Sequence, residues 1–108
     1  MAKFYHATTA ASMTAIRKEG VLRAGSFGEV FFCREPLDAC KFLVIRGLRS
    51  VEVIEVELDE AAVEESYDHS ESFFGCKAYV HHGDIELCGT EPITEYDFDF
   101  SKSGEEAP

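Results

Sequence analysis

The stretch from Ser50 to Leu58 constrains the fold more than any other part of this 108-residue chain. Val51, Val53, Ile54, Val56 and Leu58 alternate with Glu52, Glu55 and Glu57, with one slip in phase at Val53-Ile54. A period of two belongs to a strand with one face in the core, so this stretch is expected to be a central strand with its acids on an exposed face. The rest of the chain must then supply the neighbours of that strand.

Lys3 to Ala7 alternates and is aromatic, which suits a strand. Thr8 or Thr9 is a good N-cap for a helix over about 9–19, in which Ala10, Met13, Ile16 and Arg17 recur at helical spacing. Gly20 stands as its stop, after Arg17-Lys18, whose charges favour the negative end of the helix dipole. Val21-Leu22 is expected under the helix end, and Arg23 to Gly28 reads as a loop. Glu29 to Cys33 reads as a short strand. Pro36 suits the first position of a second helix that stops near Arg46-Gly47.

Beyond the central strand, Asp59 is expected to cap a helical turn through Val63, and Glu64 to Ser72 reads as irregular, with Phe73-Phe74 anchoring its end. Cys76 to Val80 and Ile85 to Cys88 read as two strands separated by His81-His82-Gly83-Asp84, a segment of hairpin length with a turn glycine. Pro92 leads into a half-buried last strand from Thr94 to Phe100. Residues 1–100 thus read as one domain, and 101–108 as a disordered acidic tail.

The formal charge is −11 and unevenly spread. Residues 1–50 hold eight Lys or Arg against four acids, a net of +4; residues 51–108 hold two against seventeen, a net of −15. A basic half can hold an anionic ligand such as a dinucleotide, whereas the acidic half repels bulk nucleic acid. An acidic surface that serves solubility, or docks a basic partner, accounts for the same numbers. No run approaches the roughly 20 apolar residues of a membrane helix, and Met1 to Phe4 lacks the apolar core of a secretory signal. A cytoplasmic protein without a membrane partner is the expectation.

Cys33, Cys40, Cys76 and Cys88 form no Cys-x-x-Cys pair and read as reduced packing residues. His81, His82 and Asp84 read as a turn, not a metal site.

Three pieces carry chemistry: Tyr5-His6-Ala7-Thr8 at a strand end before a helix that ends in Gly20-Val21-Leu22, Phe31-Phe32 followed eleven residues after Phe31 by Phe42, and Glu86 shortly before Pro92-Ile93. A histidine and a hydroxyl at a strand end can hold a ribose and a carboxamide, and the backbone of Ala7 can pair with an amide. Phe31 and Phe42 can sandwich an aromatic ring, worth about 0.5–1.5 kcal/mol per stacked pair beyond burial. Glu86 can stabilise developing positive charge. Arg23 and Arg34 are the candidates for a pyrophosphate.

Together these pieces resemble the ADP-ribosyltransferase superfamily, over about residues 4 to 98. That family's first motif is Tyr-His-Gly-[Ser/Thr], its second an aromatic pair with a further aromatic in the next helix, and its third a glutamate in a late strand. The resemblance implies an α+β fold with a split β-sheet core and two main helices. It implies NAD as co-substrate, bound by His6, Ala7, Thr8, Arg23, Phe31, Arg34 and Phe42, and an ADP-ribosyl transfer from NAD to an acceptor that releases nicotinamide. His6, Phe31 and Glu86 take the places of the His-Tyr-Glu catalytic triad, with Glu91 or Glu95 as the alternative acid in another register. Phe31 departs from the family pattern: it keeps a stacking face and loses a hydroxyl. A module that binds NAD or ADP-ribose without turnover, and an acidic interaction or inhibitor protein, are the competing expectations.

Overall fold

The computed structural model describes residues 1–25, 28–66 and 77–98. The chain runs β1 (Ala2–Thr8), α1 (Ala10–Glu19), β2 (Val21–Leu22), β3 (Glu29–Phe32), α2 (Pro36–Val44), β4 (Ser50–Leu58), a 3₁₀ turn (Glu60–Ala62), β5 (Val63–Ser66), β6 (Ala78–His82), β7 (Ile85–Glu86) and β8 (Ile93–Asp97). The fold is α+β. Its β-structure is split into a sheet β1-β4-β8, a ribbon β2-β7 and a sheet β3-β6-β5, with every pairing antiparallel.

β4 is central, with β1 along one edge from Ala2↔Leu58 to Thr8↔Glu52 and β8 along part of the other, from Ser50↔Asp97 to Ile54↔Ile93. The slip at Val53-Ile54 is not a bulge, because the register with β1 is continuous through it. The strand changes the face it buries. Val51 and Val53 pack with Cys40 of α2 on one side, while Ile54, Val56 and Leu58 join Phe4, Met13 and Phe32 on the other. Both faces of β4 are therefore buried, each over half its length. The expectation of one exposed face is corrected in this respect: where α2 no longer covers their side, Glu57 is exposed and Glu55 is half-buried, accepting from the Tyr5 hydroxyl at 3.1 Å.

Phe4, Phe32, Met13, Leu22 and Ile54 are among the largest fully buried side chains. At roughly 1.5–3 kcal/mol each, their burial outweighs the exposed ion pairs, such as Arg34 with Glu60, which are worth about 0–1 kcal/mol. α1 begins where Thr9 caps it, its hydroxyl accepting from the Ser12 N–H at 3.2 Å, and it ends at Gly20, whose φ of 70° needs glycine. Pro36 opens α2 as expected.

Two expectations are corrected here. Val63–Ser66, read as the end of a helical turn at Val63 and the start of an irregular stretch from Glu64, is a strand paired with β6 from Val63↔His81 to Ser66↔Ala78. Its two glutamates mask any apolar alternation, and an edge position on β6 imposes the conformation instead. His81 to Asp84 is also not a hairpin turn. β6 uses one edge for β3 and the other for β5, leaving none for β7, which pairs with β2. The segment is a crossover, tied down where the Gly83 N–H donates to the Gly28 carbonyl at 2.8 Å and the Ala24 N–H to Asp84 Oδ1 at 2.7 Å. The expected anchor at Phe73-Phe74, the end of the last strand at Phe100 and the tail lie outside the described residues.

Of the cysteines, Cys33 and Cys40 are buried and in no disulfide, as packing residues should be. Cys88 is free but exposed, because β7 ends at Glu86 and the chain turns before β8; Cys76 lies outside the described residues. Among the described residues no group of three or more His, Cys, Asp or Glu is placed to hold a metal ion. No described helix is long and apolar enough to cross a membrane.

Candidate functional site

His6 sits on the face of β1 that also carries Phe4 and Thr8, and it is held from two directions. Its Nδ1 lies 2.8 Å from the Phe31 carbonyl, and its ring meets Phe32 edge-on at 5.8 Å. A carbonyl only accepts, so Nδ1 carries the proton and the neutral ring keeps an acceptor at Nε2. Burial pushes the imidazole below its ordinary value, against a smaller upward effect of the Phe31 carbonyl. The ring is therefore neutral at pH 7.

β3 buries Val30 and Phe32 and turns Phe31 the opposite way. There Phe31 meets a cavity of about 140 Å³ that is also lined by His6, Ala7 and Phe42, with Arg46 at its α2 end. The side-chain alternation of β3 and the single turn of chain before Pro36 thus bring the two spaced aromatics together.

The backbone of β1 adds a polar edge to this cavity. The Tyr5 N–H donates to the Cys33 carbonyl at 2.8 Å and the Cys33 N–H to the Tyr5 carbonyl at 2.9 Å, so the peptide groups of Tyr5 point away from β4. Peptide groups alternate in direction along a strand, and those of Ala7 point to the same side as those of Tyr5. β3 bridges β1 only at Tyr5, which leaves the Ala7 N–H and carbonyl without a partner among the described residues. A half-buried donor and acceptor side by side, next to two aromatic faces, match a planar ring bearing a carboxamide.

A second cavity, of about 290 Å³, lies on the other side of His6 and is lined by Thr8, Val21 and Arg23. Binding sites for whole ligands commonly reach roughly 300–1,000 Å³. The first cavity suits one ring, and the second, across His6, has about twice its volume.

His6, Ala7, Phe31 and Phe42 are thus assembled at one cavity, with Thr8 and Arg23 at its neighbour. Arg23 is already engaged, with Nε at 2.6 Å from Glu19 Oε2 and a nitrogen 3.6 Å from Asp84. Arg34 is brought to neither cavity: it lies over the Phe4 ring at 4.9 Å and reaches Glu60 at 3.3 Å. Glu86 also lines neither. It is exposed on β7 opposite Val21 and faces a separate groove. Its nearest link to the site is Val21, whose side chain shares its face of the ribbon. Glu91 turns back on its own chain, accepting the N–H groups of Cys88 and Gly89 at 2.8 and 2.9 Å, and Glu95 is exposed on β8.

Sequence reasoning passed over Arg46. Among the described residues it has no carboxylate partner, and it lies in the turn just past the end of α2, four residues after Phe42, where it reaches the same cavity. That spacing is the signal by which it could have been found.

Comparison of the chain with protein-family models, with curated proteins and with solved structures finds no match in any of the three.

Proposed function

We propose that the protein binds NAD across the two cavities and transfers its ADP-ribose to an acceptor. The observation that carries the reading is the unpaired peptide edge of Ala7 in the cavity lined by Phe31 and Phe42. In this reading the nicotinamide ring lies between the two aromatics and its carboxamide pairs with the Ala7 N–H and carbonyl. His6 Nε2 accepts from a ribose hydroxyl, and Thr8 and Arg23 meet the chain beyond it.

The transfer half of the reading rests on the resemblance and on the place of Glu86 opposite Val21. The bond from ribose C1′ to the nicotinamide nitrogen breaks, with its electron pair leaving on nicotinamide. The acceptor's nucleophilic atom forms the new bond to C1′ and gives up a proton. Glu86 would oppose the positive charge that gathers on the ribose.

A second reading, an NAD-binding module without turnover, is favoured by two observations: Phe31 lacks the hydroxyl of the family's tyrosine, and Glu86 lines neither cavity. Calorimetric titration with NAD, followed by chromatography for free nicotinamide, separates the two. Transfer predicts that NAD binds and nicotinamide is released, that Phe42→Ala weakens binding, and that Glu86→Gln keeps binding and loses release. Binding without any release establishes the second reading. A wild-type protein that gives no heat with NAD ends both.

A further inference from the structure

The split between the sheet β1-β4-β8 and the ribbon β2-β7 has an open strand edge on each side. β8 pairs with β4 only as far as Ile54, and past it the Glu55 N–H reaches the Pro92 carbonyl at 2.9 Å. The peptide groups of Glu57 point the same way as those of Glu55 and meet no partner among the described residues. On β7, the Leu87 N–H donates to the Gly20 carbonyl at 2.9 Å, so the peptide groups of Ile85 and Leu87 face β2 and those of Glu86 face away from it. The chain segments that carry both edges line one groove of about 610 Å³, larger than either cavity at His6.

The side chains around that groove have a definite chemistry. Val56 and Ile85 contribute its apolar part, while Glu55, Glu57, Glu86 and Glu91 contribute carboxylates. Burial pushes the Glu91 carboxyl up, but the backbone N–H groups around it outweigh burial and hold it below its ordinary value, so it is ionised. Against these four stands Lys3, 3.8 Å from Glu55.

We propose that this groove docks an extended, lysine- or arginine-bearing peptide segment of a partner protein as an added strand between β4 and β7. Its backbone pairs with the open peptide groups of Glu57 and Glu86, its apolar side chains settle toward Val56 and Ile85, and its cations meet the carboxylates. From Val56 to Leu58 the open part of β4 is about 10 Å long at roughly 3.3 Å per residue, which sets a core motif of about three residues. Recognition by strand addition draws affinity from main-chain bonds and selectivity from alternate side chains. Charged residues on an open edge ordinarily prevent pairing between copies. Here they repel a second copy of this chain, whose net charge is −11, and favour a basic strand. The inference is independent of NAD.

Fluorescence anisotropy with a labelled eight-residue peptide of alternating lysine and valine tests the proposal on the full chain. Two further peptides accompany it: the same sequence N-methylated at every second peptide bond, and one with glutamate in place of lysine. The lysine peptide should bind, N-methylation should weaken it by roughly tenfold for each hydrogen bond lost, and the glutamate peptide should not bind. Glu57→Lys, at an exposed position opposite Lys3, should lower the unfolding temperature slightly, leave the protein folded and weaken binding at least tenfold. Equal binding of the N-methylated peptide would reduce the effect to charge attraction and overturn strand addition. Absence of binding by the lysine peptide, or unchanged binding to Glu57→Lys, overturns the proposal as well.

Discussion

His6→Phe is the most informative single substitution for the candidate site, because it keeps a ring against Phe32 and removes both the donor to the Phe31 carbonyl and the titrating group. At pH 7.5 the lost hydrogen bond should cost about 1 kcal/mol, toward the lower end of such losses, since the Phe31 carbonyl borders a cavity that water can enter. Acidification should then reverse the comparison. The folded wild type holds His6 below its ordinary value of 6.5, so under acid the unfolded chain takes up a proton that the folded chain refuses. Stability is lost as the pH falls below 6.5, by at most about 1.4 kcal/mol per pH unit, until the folded ring also protonates. The variant lacks this loss. Its deficit should shrink from pH 7.5 to 5 in urea unfolding followed by circular dichroism, with the other titrating groups cancelling in the difference. Among those, His82 works in the opposite direction: its hydrogen bond to Glu64 raises it, and that contribution fades as the pH rises. Glu19 and Arg23, which line the cavity on the far side of His6, are paired with each other and contribute little net field. A deficit that stays constant or widens on acidification would refute a half-buried, neutral, Nδ1-protonated His6.

Three further outcomes are expected. Met13→Ala removes a fully buried side chain from the larger core and should destabilise the protein by about 2–5 kcal/mol in the same unfolding assay. Thr9→Ala takes away the cap of α1 and should cost about 1 kcal/mol, with Thr9→Ser restoring most of it. Burial pushes the Cys40 thiol up to about 11, so roughly one in a thousand is ionised at pH 8; a thiol reagent should label exposed Cys88 promptly and Cys40 only as the chain unfolds, as peptide mapping would show.

Much of the local structure was legible because its signals are short-range. Thr9, Gly20 and Pro36 mark helix ends through caps and backbone angles that depend on a few neighbours, and each stands where it was expected. The spacing from Phe31 to Phe42 was legible for a different reason: a strand, a short turn and a helix of known rise bring such residues to one cavity. β5 was not legible, because Glu64 and Glu65 are in a strand only by virtue of β6 beside them. The crossover at His81 to Asp84 failed for the same kind of reason. Hairpin length and a glycine describe a local option, and the choice between hairpin and crossover was made by β3 and β5 occupying both edges of β6. Glu86 illustrates the limit for sites: its place in the sequence matches a motif, yet it lines neither cavity at His6 and borders the groove between β4 and β7 instead.

The change of buried face along β4 also bears on how the chain reaches a single fold. In a strand with one apolar face, a shift of one residue against its neighbour turns that face outward, and only one core is lost. In β4 the same shift would carry Glu52 and Glu55 inward, one toward each apolar layer, and draw Val51, Val53, Ile54 and Val56 out together. Misaligned pairings of β1 with β4 are therefore penalised on both sides at once. The phase slip that looked like an irregularity acts as a registration mark, admitting one alignment of the central pair and rejecting its nearest competitors.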